Sequence, residues 1–401
     1  MPSKRAPLAT GCEAIDWYKA PLPGDEFHRA LRSLREQGPV VRVRALDGQL
    51  ELFAIVGHAA LAEAFKDGEC FPPGLAYQII SKPFIGETFM SMDEPGNRRF
   101  RPPIMQAFRR RAVESIPDER FAALAHELAD RIDAAGEADL CRDFTRIFSF
   151  AVLCEMLGLS RDREREFFDW SMELMFGGLD LAASRRADRL FTDHVRPTLE
   201  ARRAEARDDV VSHLLRVEVD GRRLTDEQVL SHLRLVFTAG ATTTADALGN
   251  LVHALLVLRE PWEACVDDPS LCGPAVDELL RYDPPVASQP RFASAERAVE
   301  WAGVEIPAQS PVLFGIAAAN RDPEVHRDPD RFDVERRPDD LLTFGPGLRT
   351  CPGMHLARKN LRIALEVMTA RWPRCRLVDA LRGAPRGCLL RGPETLPVRL
   401  R

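Results

Sequence analysis

Phe344-Gly345-Pro346-Gly347-Leu348-Arg349-Thr350-Cys351-Pro352-Gly353-Met354-His355-Leu356-Ala357-Arg358 is the stretch on which the reading of this chain turns. Gly345 and Gly347 permit a tight, bulged turn ahead of the cysteine. Pro352 suits the first position of a helix, and Gly353 allows close backbone approach. Residues 354–371 supply the apolar period of the helix itself. Cys351 therefore stands at a helix N-terminus, where unpaired N–H groups and the helix dipole favour a thiolate. Arg349 places a cation two residues away.

Three readings of that sulfur are open. A buried structural cysteine has no need of a glycine–proline scaffold. Zinc could take Cys351 and His355 at i, i+4, but no second ligand pair stands at suitable spacing. The third is a metal–thiolate site with one protein ligand, such as a haem iron takes.

Upstream, Thr225 and Gln228 have capping-box spacing, with Asp226 and Glu227 in the first turn. The helix they open is expected to run to Glu260 and to be stopped by Pro261. Its roughly 35 residues at ~1.5 Å rise make roughly 50 Å, enough to cross a domain. Its middle, Ala239-Gly240-Ala241-Thr242-Thr243-Thr244, is poor helix chemistry. A mid-helix Gly costs ~1 kcal/mol against Ala, and Thr hydroxyls can bond back to the i−4 carbonyl. Small residues before hydroxyls leave room for a ligand; close helix packing without one is the alternative. Between the two segments, Glu278 and Arg281 share a helix face that Asp283-Pro284-Pro285 ends abruptly. Exposed, such a pair is worth little. A second arginine, Arg331 in Asp330-Arg331-Phe332, would make it a buried triad that locks an irregular loop.

Composition bounds the rest. The chain has 401 residues, 45% of them hydrophobic, enough for a large core. A net charge of −6 argues against nucleic-acid binding. No run reaches the ~18 consecutive apolar residues of a membrane span, and the N-terminal stretch lacks a signal peptide's apolar core. Nine scattered cysteines form no disulfide framework, so a cytoplasmic, reducing setting is expected. Residues 40–43 and 50–56 read as strands around the Asp47-Gly48 turn, and 121–135 and 163–176 as amphipathic helices. The expectation for 1–401 is one mainly α domain with a minor β part.

In these motifs the chain resembles the cytochrome P450 superfamily of haem-thiolate monooxygenases, in its soluble bacterial form. Residues 344–358 fit the pattern F-G-x-G-x-[HR]-x-C-x-G-x-x-L-A-R at each fixed position. Glu278 and Arg281 fit E-x-x-R, with Arg331 at the third triad position, and Ala239, Gly240 and Thr243 fit A-G-x-x-T. The likeness runs from Trp17 to the last strand. It implies a mainly α cytochrome P450 fold, a triangular helical prism with a small β-rich region. It implies haem b (iron protoporphyrin IX) between the long helix and the cysteine loop. By the same resemblance Cys351 is the axial ligand of the haem iron, in a loop shaped by Phe344 and Gly353. Arg291, Arg349 and Arg101 are implied as partners of the haem propionates, since buried carboxylates need cationic hydrogen-bonding groups. Thr243 is implied as organiser of a proton-carrying water, aided by Thr242 or Thr244. Two positions depart from the family pattern. Asn97 stands where His is frequent, four residues before Arg101, and brings no charge. Thr242 stands where Asp or Glu is common, which removes a carboxylate associated with proton delivery. Asp246 lies one turn after Thr243.

The implied reaction inserts one atom of O2 into a C–H or C=C bond, consuming two electrons and two protons. Peroxygenase chemistry with hydrogen peroxide and a catalytically silent haem sensor or carrier are the alternatives. Phe71, Tyr77, Ile80, Phe176, Val236, Val286, Ala287 and Leu390 are expected to line a pocket for a hydrophobic substrate of small to medium size. Terpenoids, steroids, fatty acids and polyketides all fit that description. No flavin or iron–sulfur motif is visible and no reductase domain is expected after Arg401, so electrons would come from a ferredoxin and its reductase. Arg109, Arg110, Arg111, Arg358, Lys359 and Arg362 form the expected basic docking patch.

Overall fold

The computed structural model describes residues 15–177, 180–347 and 349–401. Most of the N-terminal stretch searched for a signal peptide, and Leu348 of the cysteine loop, lie outside them.

The capping box forms as spelled. The Gln228 N–H donates to Thr225 Oγ1 at 3.3 Å, and the Thr225 N–H donates to Gln228 Oε1 at 2.9 Å. The helix behind it runs Asp226–Leu258. It stops short of Pro261, at Arg259, which takes φ 65°. Pro261 does not end that helix. It sits in the first turn of the next, Glu260–Asp267, where its missing N–H is one that a helix start leaves unpaired anyway.

The long helix is the axis of the main core. It packs on helices Arg146–Leu157, Phe167–Met175, Cys272–Tyr282 and Met354–Arg371. Phe237 shows how: its ring meets those of Phe150, Phe167 and Phe191 at centroid distances of 4.9, 5.1 and 4.8 Å. Each such pair adds ~0.5–1.5 kcal/mol beyond area burial. Among the described residues this is the one helix long and apolar enough to cross a membrane, yet 72% of its apolar window is buried inside the protein. The helix read at 121–135 forms as Asp118–Ile132, and that read at 163–176 shortens to Phe167–Met175.

The β part is small. Strands β1 (Val40–Ala45) and β2 (Leu50–Ile55) form a hairpin whose turn places Leu46, Asp47 and Gly48 at positive φ. With β3 (Gln289–Phe292) and β4 (Pro311–Phe314) they make a sheet ordered β1-β2-β4-β3. β2 runs parallel to β4, and β3 antiparallel to it with Arg291 opposite Val312. A second core under this sheet gathers Trp17, Phe27, Leu31 and Ala287.

Glu278 and Arg281 are fully buried, at 0% exposure each. Arg281 Nε and Nη2 grip the two carboxylate oxygens at 2.9 and 2.8 Å. The remaining donors reach the carbonyls of Pro329 (2.9 Å), Asn320 (3.2 Å) and Arg331 (3.2 Å). The arginine that completes the triad is Arg336, not Arg331: Arg336 Nε donates to Glu278 Oε1 at 3.2 Å. Arg331 is exposed and contributes only its carbonyl. Five arginines crowd residues 321–337, and spacing alone does not say which one a folded loop turns inward.

Candidate active site

The cysteine loop closes through the Cys351 N–H, which donates to the Phe344 carbonyl at 2.8 Å. Gly345 and Gly347 take φ 63° and 102°, values that L side chains avoid. A Cβ at Gly347 would also stand 3.1 Å from the Phe65 carbonyl. Burial is the strongest influence on the Cys351 thiol and pushes its pKa up. The N–H groups of Gly353 and Met354 and the cations Arg101 and Arg358 pull the other way. A metal cation on the sulfur would deprotonate it outright.

Beside the sulfur lies a cavity of about 290 Å³. Phe344, Gly345, Cys351, Gly353, Ala357 and Leu361 line it from the loop and its helix; Val236, Ala239, Gly240, Thr243, Thr244 and Ala247 line it from the long helix. Ala239 and Gly240 are exposed at the centre of an otherwise buried helix, because their small side opens on this space. The hydroxyls of Thr243 and Thr244 donate to the carbonyls of Ala239 and Gly240, both at 2.9 Å. Thr242 is corrected: it is buried away from the cavity, its hydroxyl donating to the Thr238 carbonyl at 2.6 Å. One residue is ~100° of helix turn, which carries it off the face that Thr243 occupies.

Two buried guanidiniums border the cavity. Arg291 is 4% exposed; its Nη1 donates to the Pro290 carbonyl at 2.8 Å, and among the described residues it has no carboxylate partner. Arg349 donates to the carbonyls of Phe89 and Met92, its Nε has no partner, and its nearest carboxylate, Asp93, is 3.7 Å away. Buried cations so poorly matched call for anionic oxygens within the cavity. These donors, the thiol and the low surface at Ala239 and Gly240 fit a flat, dianionic metal macrocycle such as haem. Arg101 and Asn97 do not line this cavity. They border a separate groove of about 480 Å³ on another side of Cys351, where Arg101 donates to the Thr350 carbonyl and Asn97 Nδ2 to the Phe89 carbonyl at 2.7 Å. Asn97 thus spends its amide on the backbone.

Of the expected substrate residues, Tyr77, Val236 and Val286 line the cavity. The other five do not. Phe71 is core, edge-on to Trp301 at 4.9 Å. Ile80 is 38% exposed on the surface. Phe176 closes a helix elsewhere, and Ala287 points into the second core because neighbours on an extended segment face opposite ways. Leu390 pairs with Val286 in an isolated backbone bridge and is not part of the cavity lining. Phe89, Met90, Leu235 and Gln289 were not anticipated. Gln289 had a signal, since it precedes Arg291 by two on β3 and so shares its face. Its Nε2 donates to the Tyr77 hydroxyl at 2.8 Å.

The expected basic patch is largely neutralised within the chain. Lys359 and Arg362 both pair with Asp118, Arg358 with Asp277 (2.7 Å) and Arg110 with Glu114 (2.7 Å). Arg109 and Arg111 are exposed and carry no ion pair among the described residues.

A thiol at a helix start, sharing a cavity with a hydroxyl-bearing soft helix and two anion-seeking arginines, is the arrangement that a haem-thiolate protein requires. The chain belongs to the cytochrome P450 family. The family model, described as Cytochrome P450, matches residues 270–371. Over 401 aligned residues the chain is 33% identical to 6-deoxyerythronolide B hydroxylase of Saccharopolyspora erythraea, covering 94% of this chain and 98% of that one. It is 31% identical to vitamin D(3) 25-hydroxylase of Pseudonocardia autotrophica, covering 98% of each. Cytochrome P450 CYP109Q5 from Chondromyces apiculatus superposes with a TM-score of 0.83 at 30% identity, over 94% of this chain and 96% of that structure. The chain is accordingly a haem b oxidoreductase, a monooxygenase that uses O2 and electrons from redox partners on a hydrophobic substrate.

Proposed function

We propose that Cys351 supplies the thiolate to the haem iron, that Arg291 and Arg349 receive the haem carboxylates, and that Thr243, with Thr244, manages protons at the reacting oxygen. The observation that carries this reading is that Cys351 and the Ala239–Thr243 turn border one cavity. When bound, the haem supplies the oxygen chemistry, with thiolate electron density favouring O–O cleavage. The Thr243 hydroxyl can release the Ala239 carbonyl and turn its proton toward the cavity. The apolar wall of Phe89, Met90, Leu235, Val236 and Val286 excludes water and orients the substrate. The 6-deoxyerythronolide B and vitamin D(3) hydroxylases among the relatives favour a polyketide or steroid-like substrate and turnover over the silent-carrier alternative. The cavity draws on residues 65–361, which supports 1–401 as one working domain.

We further propose a ferredoxin, with its reductase, as electron donor. It would dock at the groove beside Cys351, where Arg109 is an exposed cation with no ion pair among the described residues, and Arg111 follows two residues on. Arg109→Glu is expected to weaken transfer in a salt-dependent way, whereas Lys359→Glu acts on the Asp118 pair instead. The eight described cysteines are all free, which supports a reducing, cytoplasmic setting. The deciding experiment is the spectrum of the reduced protein under carbon monoxide. A strongly red-shifted Soret band is expected, lost in Cys351→Ala and Cys351→His; either variant keeping that band would overturn the ligand assignment.

A further inference from the structure

One ionisable side chain of the long helix is unused by the reading above. Asp246 follows Thr243 by three residues; at ~100° per residue its direction falls between those of Leu235 and Ala239, which line the cavity, and Asp246 itself stands just outside that lining. Helical side chains lean toward the N-terminus, so its carboxyl leans back toward the level of Thr243. It is 9% exposed, and among the described residues its carboxyl takes no hydrogen bond. That is unusual, since buried polar groups are normally paired.

The surroundings are close and specific. Gly392 presses its backbone on the carboxyl: a Cβ there would stand 2.4 Å from Asp246 Oδ1. Two titratable groups face Asp246 from the elements packed on it. Cys141, in the π-helical turn Cys141–Thr145, is kept neutral by burial and lies 3.4 Å from the Pro393 carbonyl. Arg146, half-buried, reaches outward to the Glu394 carbonyl at 3.0 Å. Burial holds the Asp246 carboxyl up at about 7 while the Arg146 cation pulls it down. A purely structural contact at this place would be served better by an amide or an apolar group. A carboxyl with no hydrogen bond gains nothing from being an acid, unless its proton is used.

We propose that Asp246 is a proton-relay residue for the reaction in the Thr243 cavity, recharged from solvent along Arg146. Protonated Asp246 releases H⁺ through water to the Thr243 hydroxyl and becomes a carboxylate. Solvent returns the proton past Arg146, whose cation steadies the transient carboxylate. No electrons move in this step. The inference rests on the assignment of Thr243 to proton handling.

The test uses the haem-loaded enzyme and three variants, Asp246→Asn, Asp246→Glu and Arg146→Gln. Product formed per electron consumed is followed against pH, together with the infrared band of a protonated carboxyl. In the wild type both should titrate near 7. Asp246→Asn is expected to lose that band and the pH limb, and to give on the order of tenfold less product per electron. Asp246→Glu should restore both. Arg146→Gln should move the limb to higher pH, because the cation that lowers the carboxyl is gone. Wild-type coupling and an unchanged limb in Asp246→Asn would overturn the proposal. If that variant does not fold, an unmoved limb in Arg146→Gln overturns it equally. Full coupling in Thr243→Ala, with uncoupling in Asp246→Asn, would break the Thr243 assignment instead.

Discussion

The corner that carries Cys351 and the centre of the long helix border one cavity, yet they are built on opposite plans. At the corner the buried carboxylate of the triad is committed several times over. Glu278 accepts from Arg281 twice, from Arg336 and from the Asp333 N–H at 2.9 Å. At the helix centre commitments are single and local: Thr243 and Thr244 each donate to one carbonyl, and Asp246 takes no hydrogen bond among the described residues. The difference separates two tasks. A sulfur must be held in one place through turnover, whereas groups that handle protons must be able to change partners.

That contrast can be broken most violently at Glu278. Glu278→Ala leaves Arg281 charged, buried and unpaired, and should cost ~3–5 kcal/mol in a denaturant titration. A cost under ~1 kcal/mol would show that the corner is not overdetermined. Asp246→Asn probes the other region through pH. The folded carboxyl is raised from 3.8 to about 7, so its stabilising neutral form is fully present below 3.8 and is lost as pH climbs through about 7. The wild type should therefore lose up to ~1.4 kcal/mol per pH unit across that window relative to the variant. Parallel stability curves would refute the raised value. Thr243→Ala should change stability by less than ~1 kcal/mol while diverting electrons from product to peroxide or water. Thr242→Ala should do the reverse, measured by the same electron count and melting curve. The smallest effect expected is Arg331→Ala, within ~0.5 kcal/mol of wild type, against a measurable coupling between Arg336 and Glu278 in a double-mutant cycle.

The corner was more legible in the sequence than the cavity wall. Glycines at positive φ are local chemistry that residues 344–358 spell directly, as residues 225–228 spell the capping box of the long helix; Pro352, expected at the first helical position, instead lies before the N-cap Gly353 of Met354–Arg371. Which arginine enters the triad depends on how an irregular loop is folded, so Arg331 was read for Arg336. The facing of Ala287, Phe71 and Ile80 depends on register and on neighbours distant in sequence. Apolar character alone does not separate a wall residue from a core residue. Pro261 was misread for a different reason: a proline that cannot continue one helix is well suited to begin the next.

The bond from the Thr243 hydroxyl to the Ala239 carbonyl, 2.9 Å long, also bears on timing. A helical threonine divides its time between two rotamers, one of which makes this bond. Rotamer exchange takes picoseconds to nanoseconds at exposed positions, while enzymes of ordinary speed turn over ~1–10³ times per second. Even if packing slows the exchange a thousandfold, the hydroxyl samples both partners many times in each cycle. Its switching therefore does not set the pace of the enzyme. It sets the odds, at each encounter with a reduced oxygen, that a proton is delivered before the electrons are wasted.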